Sequence, residues 1–191
     1  MKAAIHLFIL LPAFAPGGNA QLNEQWKYGV FQIKNETNST EGCGFYIGNH
    51  NDSSYLITAK HVVTDEGLVA KKITVQDQQE KKYEAVVIKV HETEDVALVS
   101  FKATALSPVK YLFVVDACVQ LEVYFFSMKY NIILPSNIPG VIRKADFKKT
   151  KFIVEIDGVE QGDSGSPLFC ERGIAAMIIT NGMVKAINIM R

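Results

Sequence analysis

Cysteine, histidine and net charge are all scarce in this chain of 191 residues, and each scarcity removes a class of protein. Three cysteines are too few for a disulfide-dense scaffold. The four histidines, at positions 6, 50, 61 and 91, have no neighbour at a metal-binding interval, and no glycine-rich phosphate loop occurs. Twenty basic residues balance 20 acidic ones, so no basic stripe of the kind a nucleic-acid surface requires is available. Lys71-Lys72, Lys81-Lys82 and Lys148-Lys149 read as solvated pairs on loops and edge strands. Internal repeats, low-complexity tracts and extended helical periodicity are missing as well. These absences predict no metal, no cofactor and no nucleic-acid partner.

What is present is a sizeable core. Hydrophobic residues make up 48% of the chain, enough for one medium domain or two small packed halves. The N-terminus reads separately: Lys2, then an apolar run from Ala3 to Ala15 broken by His6 and Pro12, then Gly18-Asn19-Ala20. That run falls short of the about 20 apolar residues a spanning helix needs, and small residues occupy the positions a signal peptidase prefers. Residues 1–20 are therefore expected to be a secretory signal and residues 21–191 an exported domain, with no stable membrane anchor after cleavage.

From Tyr28 onward short β-rich runs alternate with turn residues. Candidate strands are Val30 to Ile33, Cys43 to Gly48, Tyr55 to Thr58, Lys72 to Gln76, Tyr83 to His91 and Val96 to Phe101. The second group is Val119 to Ser127, Asn137 to Lys144, Phe152 to Ile156, Pro167 to Cys170, Ile174 to Thr180 and Met183 to Ile189. A dozen runs suit an all-β fold of two packed antiparallel six-stranded barrels, approximately 21–105 and 115–191, with a cleft between them. The stretch from Ala103 to Asp116 reads as their connection, with Ser107-Pro108 as a turn signal, and a short helical turn is expected at Ala59 to Val63. Three N-x-S/T triplets, at Asn35, Asn38 and Asn51, lie in polar stretches that read as loops.

Three stretches carry chemistry: Ile57-Thr58-Ala59-Lys60-His61, Asp95-Val96-Ala97-Leu98 and Gly162-Asp163-Ser164-Gly165-Ser166-Pro167. A serine hydroxyl is a poor nucleophile near neutral pH and must lose its proton as it attacks a carbonyl. An imidazole can take that proton, and a carboxylate on the other ring nitrogen fixes the tautomer and stabilises the imidazolium. His61 is thus the candidate base and then acid, Asp95 its orienter and Ser164 the nucleophile. Glycines around Ser164 let the backbone N–H groups of Gly162 and Ser164 aim at one developing oxyanion. Singly, each residue has a bland explanation: a strand-end histidine, a turn acid and a Gly-Ser turn.

Together, and in the order His, Asp, Ser, the three stretches resemble the chymotrypsin/trypsin-like serine peptidases. Gly42-Cys43-Gly44-Phe45-Tyr46-Ile47 is similar to the strand leading toward the family's histidine, Tyr55 to His61 to its histidine box and Glu94 to Val99 to its aspartate box. Departures occur at Ser166, where the family usually has glycine, and at Lys60, where it usually has alanine and where a long charged side chain is expected to point to solvent. Short intervals between the three boxes suggest a compact member, closer to bacterial or viral forms. The resemblance implies a secreted serine endopeptidase acting through an acyl-enzyme, with protein or peptide substrates and proteinaceous inhibitors as partners.

Further site residues follow from the resemblance alone. A Cys118–Cys170 disulfide is implied in the second barrel. Cys43 matches a half-cystine position, but its partner after the histidine is Val62 here, so Cys43 is expected to be a buried free thiol. The pocket is implied to involve Gly158, Gln161, Thr180 and Gly182, with Thr180 able to hydrogen-bond Asp95. Gly158 stands where trypsin-like members place an acid, so an uncharged residue before the scissile bond is expected. Asp157 and Glu160, close by, are expected to be surface loop carboxylates, although a small shift in alignment would bring either one inward. Asp163 matches an aspartate that pairs with a newly cut N-terminus in activated relatives, but Gln21-Leu22-Asn23-Glu24 is unlike that insertion sequence; the alternatives are another internal donor or an aspartate merely tolerated at the turn, and a precursor form is left unsupported. Two rivals stay open: a catalytically silent binding or effector protein on the same fold, and an esterase-type hydrolase, which the all-β pattern disfavours.

Overall fold

The computed structural model describes residues 24–103, 120–127, 132–134, 140–145, 151–170, 173–180 and 184–187. A short 3-10 helix, Glu24–Gly29, leads into β1 (Val30–Asn35), β2 (Thr40–His50) and β3 (Ser53–Thr58). A second 3-10 turn, Lys60–Val62, precedes the small hairpin β4 (Thr64–Asp65) and β5 (Leu68–Val69); β6 (Ile73–Gln76), β7 (Lys82–Val90) and β8 (Ala97–Lys102) follow. Six of these close a barrel in the order β1-β2-β3-β8-β7-β6, every neighbour antiparallel.

Local sequence explains the turns. Asn51 and Asp52, with φ of 45° and 53°, make the left-handed pair that suits a two-residue hairpin between β2 and β3. At the tip between β1 and β2, the Asn35 and Asn38 side chains accept from the backbone N–H groups of Thr37 and Thr40, two residues on in each case. Asn38 and Asn51 are exposed as loop residues should be, but Asn35 is the buried last residue of β1, not a loop residue. Its side chain fills the barrel end instead of meeting solvent.

The second half comprises β9 (Glu122–Ser127), β10 (Ile132–Leu134), β11 (Gly140–Ala145), β12 (Lys151–Glu155), β13 (Pro167–Cys170), β14 (Gly173–Thr180) and β15 (Val184–Ile187). Its order is β10-β9-β11-β12-β15-β14-β13, and β13 also pairs with β9 through Leu168–Phe125 and Phe169–Tyr124. Six strands are thereby joined in a ring, as the sequence suggests, and β10 is an added seventh. Most of the expected connection, from 104 onward, lies outside the described residues.

Two apolar clusters fill the halves, and they are unequal. One packs Phe31, Phe45, Leu56, Val75 and Val99 inside the first barrel and continues into Phe126, Phe169, Ile174 and Met177 of the second half. The other, around Phe125, Ile142, Phe152 and Leu168, belongs to the second half alone. The first cluster is therefore also the joint between the halves. Trp26, from the leading 3-10 helix, stacks on Phe169 with ring centroids 5.2 Å apart and adds a further cross-link. Cys170 belongs to the second cluster as a buried free thiol. Cys170 serves as a small apolar core residue, and Cys118, its implied partner, lies outside the described residues. No described helix is long and apolar enough to cross a membrane.

Phe31 is fully buried and 5.5 Å from the Phe101 ring. Phe31→Ala should cost about 3–5 kcal/mol, because a cavity replaces ring contacts that a closed barrel cannot collapse around. Urea unfolding checks this; an unshifted midpoint would show that the ring is not central to the core.

Candidate active site

The Lys60–Val62 turn presents its ends to the loop between β7 and β8. Asp95, in that loop, takes both N–H groups that His61 offers: the backbone N–H at 2.9 Å on Oδ1 and ring Nδ1–H at 2.7 Å on Oδ2. This bidentate grip settles the ring's orientation and puts the proton on Nδ1, leaving Nε2 as an acceptor. Burial works to raise the Asp95 carboxyl. The ring and backbone hydrogen bonds of His61, its charge and the backbone N–H of Lys60 outweigh burial and hold the carboxyl below the ordinary Asp value.

Ser164 comes from the second half, in the turn between Gln161 and Ser166 that precedes β13. Asp163 caps this turn from within: its Oδ2 accepts the Glu160 N–H at 2.7 Å, while its own N–H donates to the Glu160 carbonyl at 3.2 Å. One internal donor to Asp163 is therefore the Glu160 N–H. The turn meets the first barrel where Cys43 N–H donates to Ser164 O at 2.7 Å; within the second half, Gly165 N–H donates to Ile178 O at 2.7 Å and Ser166 N–H to Asp163 O at 2.9 Å.

Neither the Gly162 nor the Ser164 N–H donates to any acceptor among the described residues, and both residues line one cleft with His61. That cleft encloses about 1050 Å³ between the β1–β2 hairpin, the histidine turn and the Ser164 turn. No hydrogen bond links Ser164 Oγ to His61 Nε2, an open arrangement common in substrate-free sites. Among the described residues no group of three or more His, Cys, Asp and Glu side chains converges as metal ligands.

The remaining expectations divide. Cys43 is a buried free thiol, as expected; burial first of all pushes it up to about 12, and its Sγ donates to Gly162 O at 3.4 Å. Gln161 lines the cleft, whereas Gly158 and Asp157 are exposed and apart from its lining. Glu160 is not a plain surface carboxylate, since it is half-buried and lines the cleft. Thr180 ends β14, its register partner being Lys185, and Gly182 lies outside the described residues. Lys60 stays at the surface, half-buried, but is not free there: its Nζ donates to the carbonyls of His91 at 3.0 Å and Glu92 at 3.4 Å. Ile179, from the strand the resemblance makes the pocket wall, lines the cleft, whereas sequence reasoning missed Asn38 to Glu41 as cleft walls. Only the register that folds the β1–β2 hairpin against the second half brings them there, and no local pattern announces it.

Residues 42–175 match the family model of the trypsin-like peptidase domain, and the chain belongs to that family. It is a serine-type peptidase domain. No curated protein matches it in sequence. Among solved structures it is similar to the inactive form of the Rv3671c protease, at 21% identity and a TM-score of 0.65, with 94% of each chain covered. A serine-to-alanine mutant of Rv3671c from M. tuberculosis H37Rv, also in an inactive form, gives 21% identity, a TM-score of 0.65 and coverage of 95% and 92%. The serine endoprotease from Yersinia pestis gives 19% identity and a TM-score of 0.67; 91% of this chain is covered and 64% of that one, so the chain spans a little under two thirds of its length. These likenesses concern the fold.

Two predictions follow from the geometry. A Cβ added at Gly165 would lie 1.9 Å from Cys43 O, whereas one at Gly162 would meet nothing within 4 Å, although its φ of +101° disfavours any side chain. Gly165→Ala should therefore unfold the turn, and Gly162→Ala should fold with a cost of about 1–3 kcal/mol; equal urea midpoints would contradict the close approach. Because Asp95 is held below its ordinary value in the folded protein, it contributes stability above that value. The contribution drains as pH falls below about 3.9 and through the lowered value. The stability gap between the natural protein and Asp95→Asn should be full at neutral pH and close in acid, and a gap independent of pH would oppose this reading.

Proposed function

We propose that this chain is an exported serine endopeptidase that hydrolyses peptide bonds through an acyl-enzyme on Ser164. The observation that carries the reading is the doubly hydrogen-bonded His61–Asp95 pair, opening into the same cleft as Ser164 and the undonated N–H groups of Gly162 and Ser164. In the reaction, Ser164 Oγ attacks the substrate carbonyl while His61 Nε2 takes its proton. Asp95 stabilises the imidazolium without itself becoming protonated. The two N–H groups receive the oxyanion, an interaction worth roughly 2.7–4 kcal/mol per donor removed. His61 then returns the proton to the leaving amine, and water repeats the sequence in reverse to free the acid.

Export is supported by the charged start, apolar run and small residues ending at Ala20, with residues 21–191 as the mature domain. The substrates are peptides or proteins held extended across the cleft, and proteinaceous inhibitors would compete at the same place. Gln161 lies at the cleft and supports a role beside the residue preceding the scissile bond. Thr180 and Gly182 are assigned to the same pocket by resemblance.

Cleavage of a mixed peptide library by the natural protein and by Ser164→Ala, read by mass spectrometry, tests the proposal. Serine-dependent cuts are expected, lost in Ser164→Ala and His61→Ala and reduced about 10⁴-fold in Asp95→Asn. Labelling by a serine-directed phosphonate should follow the same order. Equal turnover by Ser164→Ala would overturn the assignment, and a folded protein that neither cuts nor labels would be a binder on this fold.

A further inference from the structure

The loop that carries Asp95, between the end of β7 at Val90 and the start of β8 at Ala97, is held by polar side chains more than by packing. His91, Glu92 and Thr93 are exposed, and Glu94, Asp95 and Val96 are only half-buried. Its backbone groups are instead answered one by one. The His91 Nδ1 accepts the N–H groups of Thr93 at 3.3 Å and Glu94 at 3.0 Å, and the loop's ends are closed by His91 N–H to Val96 O at 2.8 Å. The carbonyls of His91 and Glu92, which these bonds leave over, are the two that Lys60 Nζ takes.

Lys60 is thus joined to this loop twice. Its backbone runs directly into His61, whose own N–H grips Asp95, and its ammonium holds the peptide groups three and four residues upstream of Asp95. Its neighbour His61 receives the benefit, because the 2.7 Å ring bond requires the Asp95 carboxylate and the histidine turn to keep a fixed separation. An alanine here would lack the ammonium tether.

Resting on the proposed reaction, we infer that Lys60 is a positioning residue: its ammonium fixes the Asp95 loop against the histidine turn and so preserves the His61–Asp95 hydrogen bond during turnover. The contribution is indirect and solvent-facing, so it is smaller by orders of magnitude than removal of the carboxylate itself, about 10⁴-fold.

The test uses the full chain and two readouts. The first is the far-downfield proton resonance of His61 Nδ1–H, verified by its disappearance in Asp95→Asn. The second is kcat and KM on a peptide substrate. Lys60→Met should lower kcat about three- to tenfold with KM little changed, and should broaden the Nδ1–H resonance through faster exchange with water. Lys60→Arg, which keeps a cationic donor, should restore both, a rescue that lost helix-turn stability alone would not produce. If Lys60→Met leaves the resonance and kcat as in the natural protein, the inference is wrong. Should Lys60→Met fold poorly, Lys60→Gln gives the same comparison. The resonance is read without substrate, so a protein that cuts no peptide would sink the proposed reaction while Lys60 is still judged by the resonance.

Discussion

The backbone of Cys43 holds this molecule's two halves in working register. Its N–H donates to the carbonyl of Ser164, its own carbonyl receives the Thr58 hydroxyl at 2.6 Å, and Gly165 passes so close that no Cβ fits beside that carbonyl. Ser164 belongs to the second half by chain order, yet its peptide group is fastened to β2 of the first barrel. The separation between His61 and Ser164 is therefore set by a backbone contact at the barrel joint, not by the long chain path between them. A buried backbone hydrogen bond suits this role, since leaving either partner unsatisfied away from water would cost on the order of 1–3 kcal/mol.

Around that contact, apolar packing supplies rigidity and polar groups supply direction. The larger core cluster crosses from Phe31 and Phe45 to Phe169 and Met177, so sliding one half past the other would open apolar surface on both. Polar side chains inside the joint are few and specific. The Asp163 carboxylate closes the Ser164 turn, and the Cys43 thiol points at the Gly162 carbonyl. With its thiol proton retained by burial, Cys43 is a weak donor there and not a nucleophile. It helps orient the peptide on one side of Gly162, whose other side carries the N–H assigned to the oxyanion.

Strand existence was legible in the residues because alternation survives wherever one face of a strand is buried. Each of the twelve candidate runs corresponds to a strand, and Pro167–Cys170 agrees to the residue. What the pattern could not disclose was β10, only three residues long, and the tiny β4–β5 hairpin, both too short for a period to develop. The residues of the three boxes were legible for a different reason, since their chemistry demands particular side chains in a particular order. Cleft walls such as Ser39 and Thr40 demand neither, so their place depends on register and could only be seen in three dimensions. The implied disulfide has only one described half: Cys170 is a free thiol, and a cysteine among Val123, Phe125 and Leu168 is as well satisfied as an apolar residue as it is as half of a bridge.

The departures from the family pattern around His61 are physically coherent with one another. The resemblance places a bridge between the position of Cys43 and that of Val62, a covalent clamp on the histidine turn. Val62 is instead wholly buried, and its methyl groups fill the space beside Gly42 so closely that a Cβ there would meet Val62 Cγ2 at 2.5 Å. One side of the turn is thus fixed by packing where the family uses a bond. Packing resists compression well but resists rotation of a three-residue turn poorly, because dispersion contacts are not directional. Rotation is what the His61 ring bond to Asp95 cannot tolerate. The Lys60 ammonium on two carbonyls of the Asp95 loop is a directional contact on the turn's other side, so the histidine is flanked by a packed valine and a hydrogen-bonded lysine where the resemblance places a half-cystine and an alanine.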